Sequence, residues 1–180
     1  GIPVAGKLLE FGCGAGDQAL WLANWGFEVS GIDIAPTAVA WAQDKAVSAG
    51  VSATFCEGSA TNLPFDDRVF DVVLDGHCLH CIIGDDRAAV LSEAHRVLAI
   101  GGHLVINTMC GDPRSPEICA KFDPISRCVV DGDIATRYLG KANEILCEIR
   151  SAGFSIIWSK IDPALSDRDQ DTLLAVARCV

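Results

Sequence analysis

The chain has 180 residues, with 14 Lys and Arg against 24 Asp and Glu, for a net charge of -10. That balance argues against a nucleic-acid backbone or an anionic membrane as the main partner. With 50% hydrophobic and 21% charged residues, the chain is not disordered, and its length suits one domain over residues 1–180.

Apolar runs alternate with helical patterns, which predicts an α/β fold with a mostly parallel sheet covered by helices on both faces. Residues 7–11 read as a first strand, followed at once by a glycine-rich turn. Residues 17–25 read as a helix stopped by Gly26, and residues 28–33 as a second strand. Pro36 and Gly50 bound the next helix, whose Ala38, Val39, Ala42, Ala46 and Ala49 share a face. Strands follow at 53–57 and 70–75, the latter nearly continuous in apolar residues and therefore central. Residues 86–99 form the clearest helix, with Val90, Leu91, Ala94, Val97 and Leu98 at helical spacing and Gly101-Gly102 as its stop. A fifth strand spans 103–108.

Residues 110–140 lack a clean period and hold Pro113, Pro116 and Pro124. They leave the carboxyl end of the fifth strand, where ligands bind in such sheets. They read as a substrate-covering insertion with short helical pieces. A helix at 142–152 and strands at 154–161 and 172–179 complete the chain. The short connection between those strands is too brief for a parallel crossover, so the last strand runs antiparallel. Trp21, Trp25, Trp41 and Trp158 fit helix or strand positions and read as core.

Nine cysteines lack the dense spacing of a secreted disulfide scaffold, which predicts a reduced, cytoplasmic protein. No apolar stretch approaches the roughly 20 residues of a membrane helix. Residues 1–7 lack the features of a signal peptide, and the chain begins without Met, as a fragment or trimmed chain would.

The strongest motif is Leu8-Leu9-Glu10-Phe11-Gly12-Cys13-Gly14-Ala15-Gly16. Glycine lets the backbone bend and approach a ligand, and the following helix presents free N–H groups. The spacing is G-x-G-x-G. A dinucleotide fingerprint wants its third glycine where Asp17 stands, and a carboxylate there repels a pyrophosphate. This disfavours a nicotinamide-dependent oxidoreductase. Asp33 closes the second strand and offers two acceptor oxygens to a ribose.

With these residues the chain resembles the class I S-adenosylmethionine-dependent methyltransferases, and their small-molecule branch in particular. Residues 58–60 with Leu63-Pro64-Phe65, Phe70-Asp71-Val72-Val73, and Arg96-Val97-Leu98 before Gly101-Gly102 extend the likeness over nearly the whole chain. The resemblance implies a Rossmann-like, doubly wound, mostly parallel seven-stranded sheet with a final antiparallel strand. It implies S-adenosyl-L-methionine as cofactor and methyl transfer to a small-molecule acceptor. Glu10 belongs to the implied first motif, and the Gly12 and Gly14 backbone would lie along the methionine part. Asp33 would bind the ribose and Ile34 would pack on adenine. Ser59 and Ala60 would meet the adenine edge, and Asp75 and Gly76 the methionine amino group. Many relatives carry an acid where Ser59 stands. A serine accepts more weakly, so modest cofactor affinity is expected. Relatives usually have helices before the first strand. This sequence starts almost at the strand, so a site without that amino-terminal lid is expected. The alternative is a cofactor-binding protein or degenerate subunit without independent catalysis. Oligomeric state stays open.

His77-Cys78-Leu79-His80-Cys81 follows the fourth strand. His77 or His80 is a candidate general base for a hydroxyl, thiol or amine, against a reading in which both only shape the loop. The cluster is too crowded for the usual zinc spacing and lacks a second pair, so no metal is expected. Arg114, Arg127 and Arg137 in the insertion could clamp a substrate carboxylate, each against a reading as a solvated surface arginine.

Overall fold

A computed structural model describes residues 3–180. In chain order, β1 (Gly6–Phe11) leads into α1 (Asp17–Asn24), and β2 (Phe27–Asp33) into α2 (Pro36–Ala49). Next come β3 (Ala53–Glu57), β4 (Phe70–Gly76), a 3-10 turn (Leu79–Cys81), α3 (Asp86–Val97) and β5 (Leu98–Cys110). The insertion holds α4 (Pro116–Cys119), β6 (Phe122–Asp123), β7 (Cys128–Asp131) and β8 (Ile134–Tyr138). The chain closes with α5 (Ala142–Ser151), β9 (Phe154–Asp162) and β10 (Asp171–Cys179).

The main sheet has seven strands in the order β3-β2-β1-β4-β5-β10-β9. β10 runs antiparallel to both its neighbours, as the short final connection requires. The order reverses between β1 and β4, which puts the topological switch point at their carboxyl ends. The sheet is apolar on both faces because both are covered. Leu8, Val72 and Leu74 join a cluster with α1 and α2, through Ala19, Leu20, Val39, Ala42 and Ala46. Their neighbours Leu9, Phe11 and Val73 join the opposite cluster with α3 and α5, through Val90, Leu91, Ala94, Ile145 and Ile149. Successive residues of each strand thus feed separate cores.

Three expectations are corrected. α3 ends at Val97, and Leu98 already pairs with Phe70 as the start of β5. Gly101-Gly102 therefore lies inside β5, in a bulge where the register shifts between Phe70 and Val72, and does not stop the helix. The four tryptophans are not core. Trp21, Trp25, Trp41 and Trp158 are 57%, 67%, 59% and 49% exposed. α1 turns Ala19 and Leu20 inward, which leaves Trp21 and Trp25 packed together outside, with ring planes tilted by 45° and centroids 5.2 Å apart. Lastly, the insertion is not irregular. β6, β7 and β8 form a three-stranded antiparallel sheet. Gly132, with φ of 62°, opens a two-residue turn between Asp131 and Ile134.

One buried cation ties these layers together. Arg87 on α3 is 5% exposed. Its Nε and Nη2 donate to the Glu148 carboxylate of α5, the closest contact being 2.6 Å. Its Nη1 donates to the carbonyls of Leu79 and Ile82 at 2.6 and 3.2 Å. Its guanidinium lies 4.1 Å from the centre of the Tyr138 ring on β8. Removing it strands two carbonyls and a carboxylate. Arg87→Leu is expected to lower unfolding stability by about 3 kcal/mol, seen as a lower denaturant midpoint at unchanged slope. A midpoint within experimental error of the parent would show that the pair contributes no net stability.

Candidate functional site

The site forms where β1 and β4 end side by side. After β1 the backbone turns through Gly12, Gly14 and Gly16, all at positive φ (66°, 52° and 77°). A Cβ at Gly12 would meet Cys78 Cβ and Sγ at 2.4 Å, so only hydrogen fits between the two loops. A Cβ at Gly14 would meet no protein atom within 4 Å, so the peptide there is open to a ligand. The Asp33 carboxylate braces this turn. Its Oδ2 accepts from Gly14 N–H at 2.8 Å and its Oδ1 from Ala35 N–H at 2.9 Å. Each oxygen keeps a lone pair for a ligand hydroxyl.

Carboxylates surround the turn. Glu10 is 2% exposed, and its Oε2 has no partner. Burial pushes its pKa up to about 8, the charges of Asp75, Asp17 and Asp33 push the same way, and a hydrogen bond from the Ala19 backbone opposes them. A Cβ at Gly76 would meet Glu10 Oε1 and Gln18 Oε1, each at 2.5 Å, so two acceptor oxygens converge beside Gly76. Asp75 is fully buried, and burial raises its pKa to about 7. Its Oδ1 turns back into the protein and accepts from Cys78 and Leu79 N–H at 2.7 and 2.8 Å. Asp75 Oδ1 thus shapes the loop after β4, and its Oδ2 is buried without a partner. Ile34 is 76% exposed, an uncovered apolar surface next to Asp33. Ser59 Oγ is engaged with Thr61 Oγ1 at 2.7 Å, and Ala60 packs against the core.

The histidines separate. His77 is exposed, has a left-handed backbone (φ 72°), and lines a cavity of about 430 Å³. That conformation is strained for a residue with a Cβ. His80 is buried, with Nδ1 3.5 Å from Thr108 Oγ1, and does not line the cavity. Burial, then the charges of His77, Arg137 and Arg87, lower its pKa to about 4 and keep it neutral. The other cavity walls come from Met109 on β5, Leu139 after β8, and Pro163 and Leu165 in the β9–β10 connection. Sequence reasoning missed that connection, because nothing local announces that it folds over β5. It also missed Gln18 and the packing of Cys78 on Gly12. Of the insertion arginines, Arg114 pairs with Asp171 and Arg127 with Asp112, each at 2.6 Å, and Arg137 lines the cavity.

Among the described residues no group of His, Cys, Asp and Glu could hold a metal ion, and no helix is long and apolar enough to cross a membrane. The fold and crevice define a Rossmann-like protein built for an adenosine-bearing ligand. Residues 9–106, more than half of the chain, match the methyltransferase domain family, and the chain belongs to that family. Demethylmenaquinone methyltransferase of Thermus thermophilus is 39% identical over 102 residues, covering 56% of this chain and 46% of the relative. Ajmaline N-methyltransferase of Rauvolfia serpentina is 33% identical over 103 residues, covering 56% of this chain and 35% of the relative. The matched stretch spans less than half the length of either relative. A SAM-dependent methyltransferase of Methanosarcina mazei shares the fold, with a TM-score of 0.84 over 98% of this chain and 93% of that one at 22% identity.

The cofactor of this family is S-adenosylmethionine. The residues present fit it. The open Gly14 peptide, the free lone pairs of Asp33 and the orphaned Glu10 Oε2 suit a diol and an ammonium. The acid-lined turn suits a cation and opposes a pyrophosphate.

Glu10 also makes stability depend on pH. A carboxyl whose folded pKa lies above its unfolded value of 4.5 keeps its full contribution below that value and loses it as pH rises toward 8. Glu10→Gln is therefore expected to gain stability over the parent between pH 5 and 8.5. Parallel thermal-unfolding profiles for the two proteins would refute this.

Proposed function

We propose that the protein transfers a methyl group from S-adenosylmethionine to a small-molecule acceptor. The observation that carries this reading is the adjacency of two sites across the loop after β4. The acid-lined glycine turn lies on one side, and on the other a cavity of about 430 Å³ edged by His77. The relatives support a small-molecule acceptor by their printed substrates, demethylmenaquinone and ajmaline-type alkaloids.

When bound, the cofactor supplies a methyl group on an already activated sulfonium leaving group. The work left to the chain is alignment and exclusion of water. Asp33 holds the ribose hydroxyls while bracing Gly14, and Glu10 with Gln18 receives the amino group beside Gly76. Gly12 and Gly14 bring the backbone against the methionine part. Ile34 packs on adenine, and Ser59 and Ala60 border its edge. The insertion covers the acceptor. His77 takes the proton of a hydroxyl, thiol or amine nucleophile at an imidazole nitrogen. His80 stays neutral and packs behind it. A cytoplasmic setting belongs to this reading, since the exposed free thiols of Cys81, Cys119 and Cys147 stay reduced only in a reducing compartment.

Calorimetric titration with S-adenosylhomocysteine tests the cofactor half. Saturable binding is expected, with no binding of NADH. Gly14→Ala is expected to abolish it at a stability cost of about 1–2 kcal/mol, because its new methyl strains φ but meets only ligand space. Undiminished binding by that variant would remove the glycine turn from the site. Transfer of labelled methyl to an acceptor panel tests the other half. His77→Gly is expected to keep its thermal midpoint, since glycine tolerates the left-handed backbone, and to lose about 100-fold in rate on protonated nucleophiles. An unchanged rate and pH profile would exclude His77 as the base. Binding without turnover on any acceptor would make the chain a cofactor-binding subunit.

A further inference from the structure

The cavity beside His77 is lined by two arginines, Arg137 and Arg168, that make no ion pair among the described residues. Arg87, Arg96, Arg114 and Arg127 are all in ion pairs. Among the described residues Arg137 makes neither an ion pair nor a side-chain hydrogen bond. It projects from β8 as part of the cavity wall, with His77, Met109 and Leu139. Its charge reaches His80 and Cys81, so the guanidinium stands near the loop after β4. Arg168, likewise unpaired, adds a second cation from the β9–β10 connection.

Two acids also line the cavity, and both are engaged. Asp162 pairs with Lys160, and Asp169 accepts from Ser166 Oγ at 2.8 Å. Asp171, at the start of β10, is taken by Arg114 and by Ala164 N–H. The chain as a whole carries a net charge of -10, so carboxylates are plentiful, yet none is placed on Arg137. Arg137 is exposed, and Met109, Ile118 and Leu139 supply apolar wall beside it, so an ion pair formed there is stronger than one in open water and weaker than a buried one. A guanidinium presents a planar fork of donors that matches a carboxylate with two parallel hydrogen bonds.

We infer that the methyl acceptor carries a carboxylate that Arg137 binds in this cavity, with the nucleophilic atom turned toward His77. This rests on the methyl-transfer reading above and names the class of its acceptor. The two carboxylate oxygens dock on the insertion, and the opposite end of the molecule faces the crevice where the methyl is delivered. An acceptor held at one end in this way is oriented before reaction, which is how binding energy is used to align a nucleophile.

The test titrates benzoate, phenylacetate, 4-hydroxybenzoate and their primary amides into the protein, with and without S-adenosylhomocysteine. Acids are expected to bind at least about tenfold tighter than the matched amides. Arg137→Gln is expected to erase that preference, and Arg137→Lys to restore only part of it, since an ammonium lacks the planar fork. Arg68→Gln removes the same charge from an exposed loop and is expected to leave acid binding unchanged. Thermal midpoints verify that each variant is folded. The inference is overturned if no acid binds, if acids and amides bind alike, or if Arg68→Gln weakens acids as much as Arg137→Gln. Acid preference without any S-adenosylhomocysteine binding would support the anion site while failing the methyl-transfer reading.

Discussion

The peptide groups of Leu79 are held from both sides by buried charge. Asp75 Oδ1 takes the Leu79 N–H at 2.8 Å, and Arg87 Nη1 donates to the Leu79 carbonyl at 2.6 Å. Leu79 itself is fully buried. Burying a carboxylate and a guanidinium is costly unless each is well satisfied. Here Asp75 Oδ1 has two backbone donors and the nearby Arg87 charge while its Oδ2 is buried without a partner, and Arg87 has Glu148 and two carbonyls. The result is a rigid loop between the ends of β4 and α3. Everything that faces a ligand depends on it. Cys78 sets the width of the crevice by pressing on Gly12, and His77 is driven into a left-handed backbone at the cavity edge.

The same loop divides the electrostatic field. On the crevice side Asp75, Asp17 and Asp33 all act on Glu10. On the cavity side stand His77 and Arg137, whose charges add to burial in keeping His80 neutral. Under the proposed reading a cationic donor would meet the acids of the crevice and an anionic acceptor the arginines of the cavity, which Asp162 and Asp169 also line.

The sheet and most helix positions were legible because they rest on local pattern. Short apolar runs at residues 7–11 and 70–75, alternating with helical patterns, could be read without tertiary knowledge, and the final antiparallel strand followed from the short last connection. The glycine turn and the place of Asp33 were legible because a strand, alternate glycines, a helix and an acid closing the next strand follow one another in the chain. The errors have physical causes. The tryptophans were assigned by residue type, although α1 and α2 bury alanine, valine and leucine and leave the indoles outside. Gly101-Gly102 was read as a helix stop because a bulge and a cap use glycine alike. The small sheet was missed although Asp131-Gly132 between apolar residues is a hairpin signal, since the surrounding prolines masked it. For the cavity there was no local signal at all. Whether Arg114, Arg127 or Arg137 is left unpaired depends on Asp171 and Asp112, which only the fold brings near.

The insertion is tied to the main sheet at several points. Its neck is closed where Gly111 N–H donates to the Gly140 carbonyl at 2.9 Å. Arg127 locks one end by donating to Leu139 O and pairing with Asp112. Gln170 and Arg114 tie the neck to β10, through Cys110 O and Asp171. Tyr138 rests on Arg87, so the small sheet leans on the same buried cation that holds Leu79. A wall anchored at this many points selects its ligand by the side chains it already presents. Under the proposed reading, the identity of residue 137, near the end of β8, would set which acceptors are held, and the residues that anchor the wall how firmly.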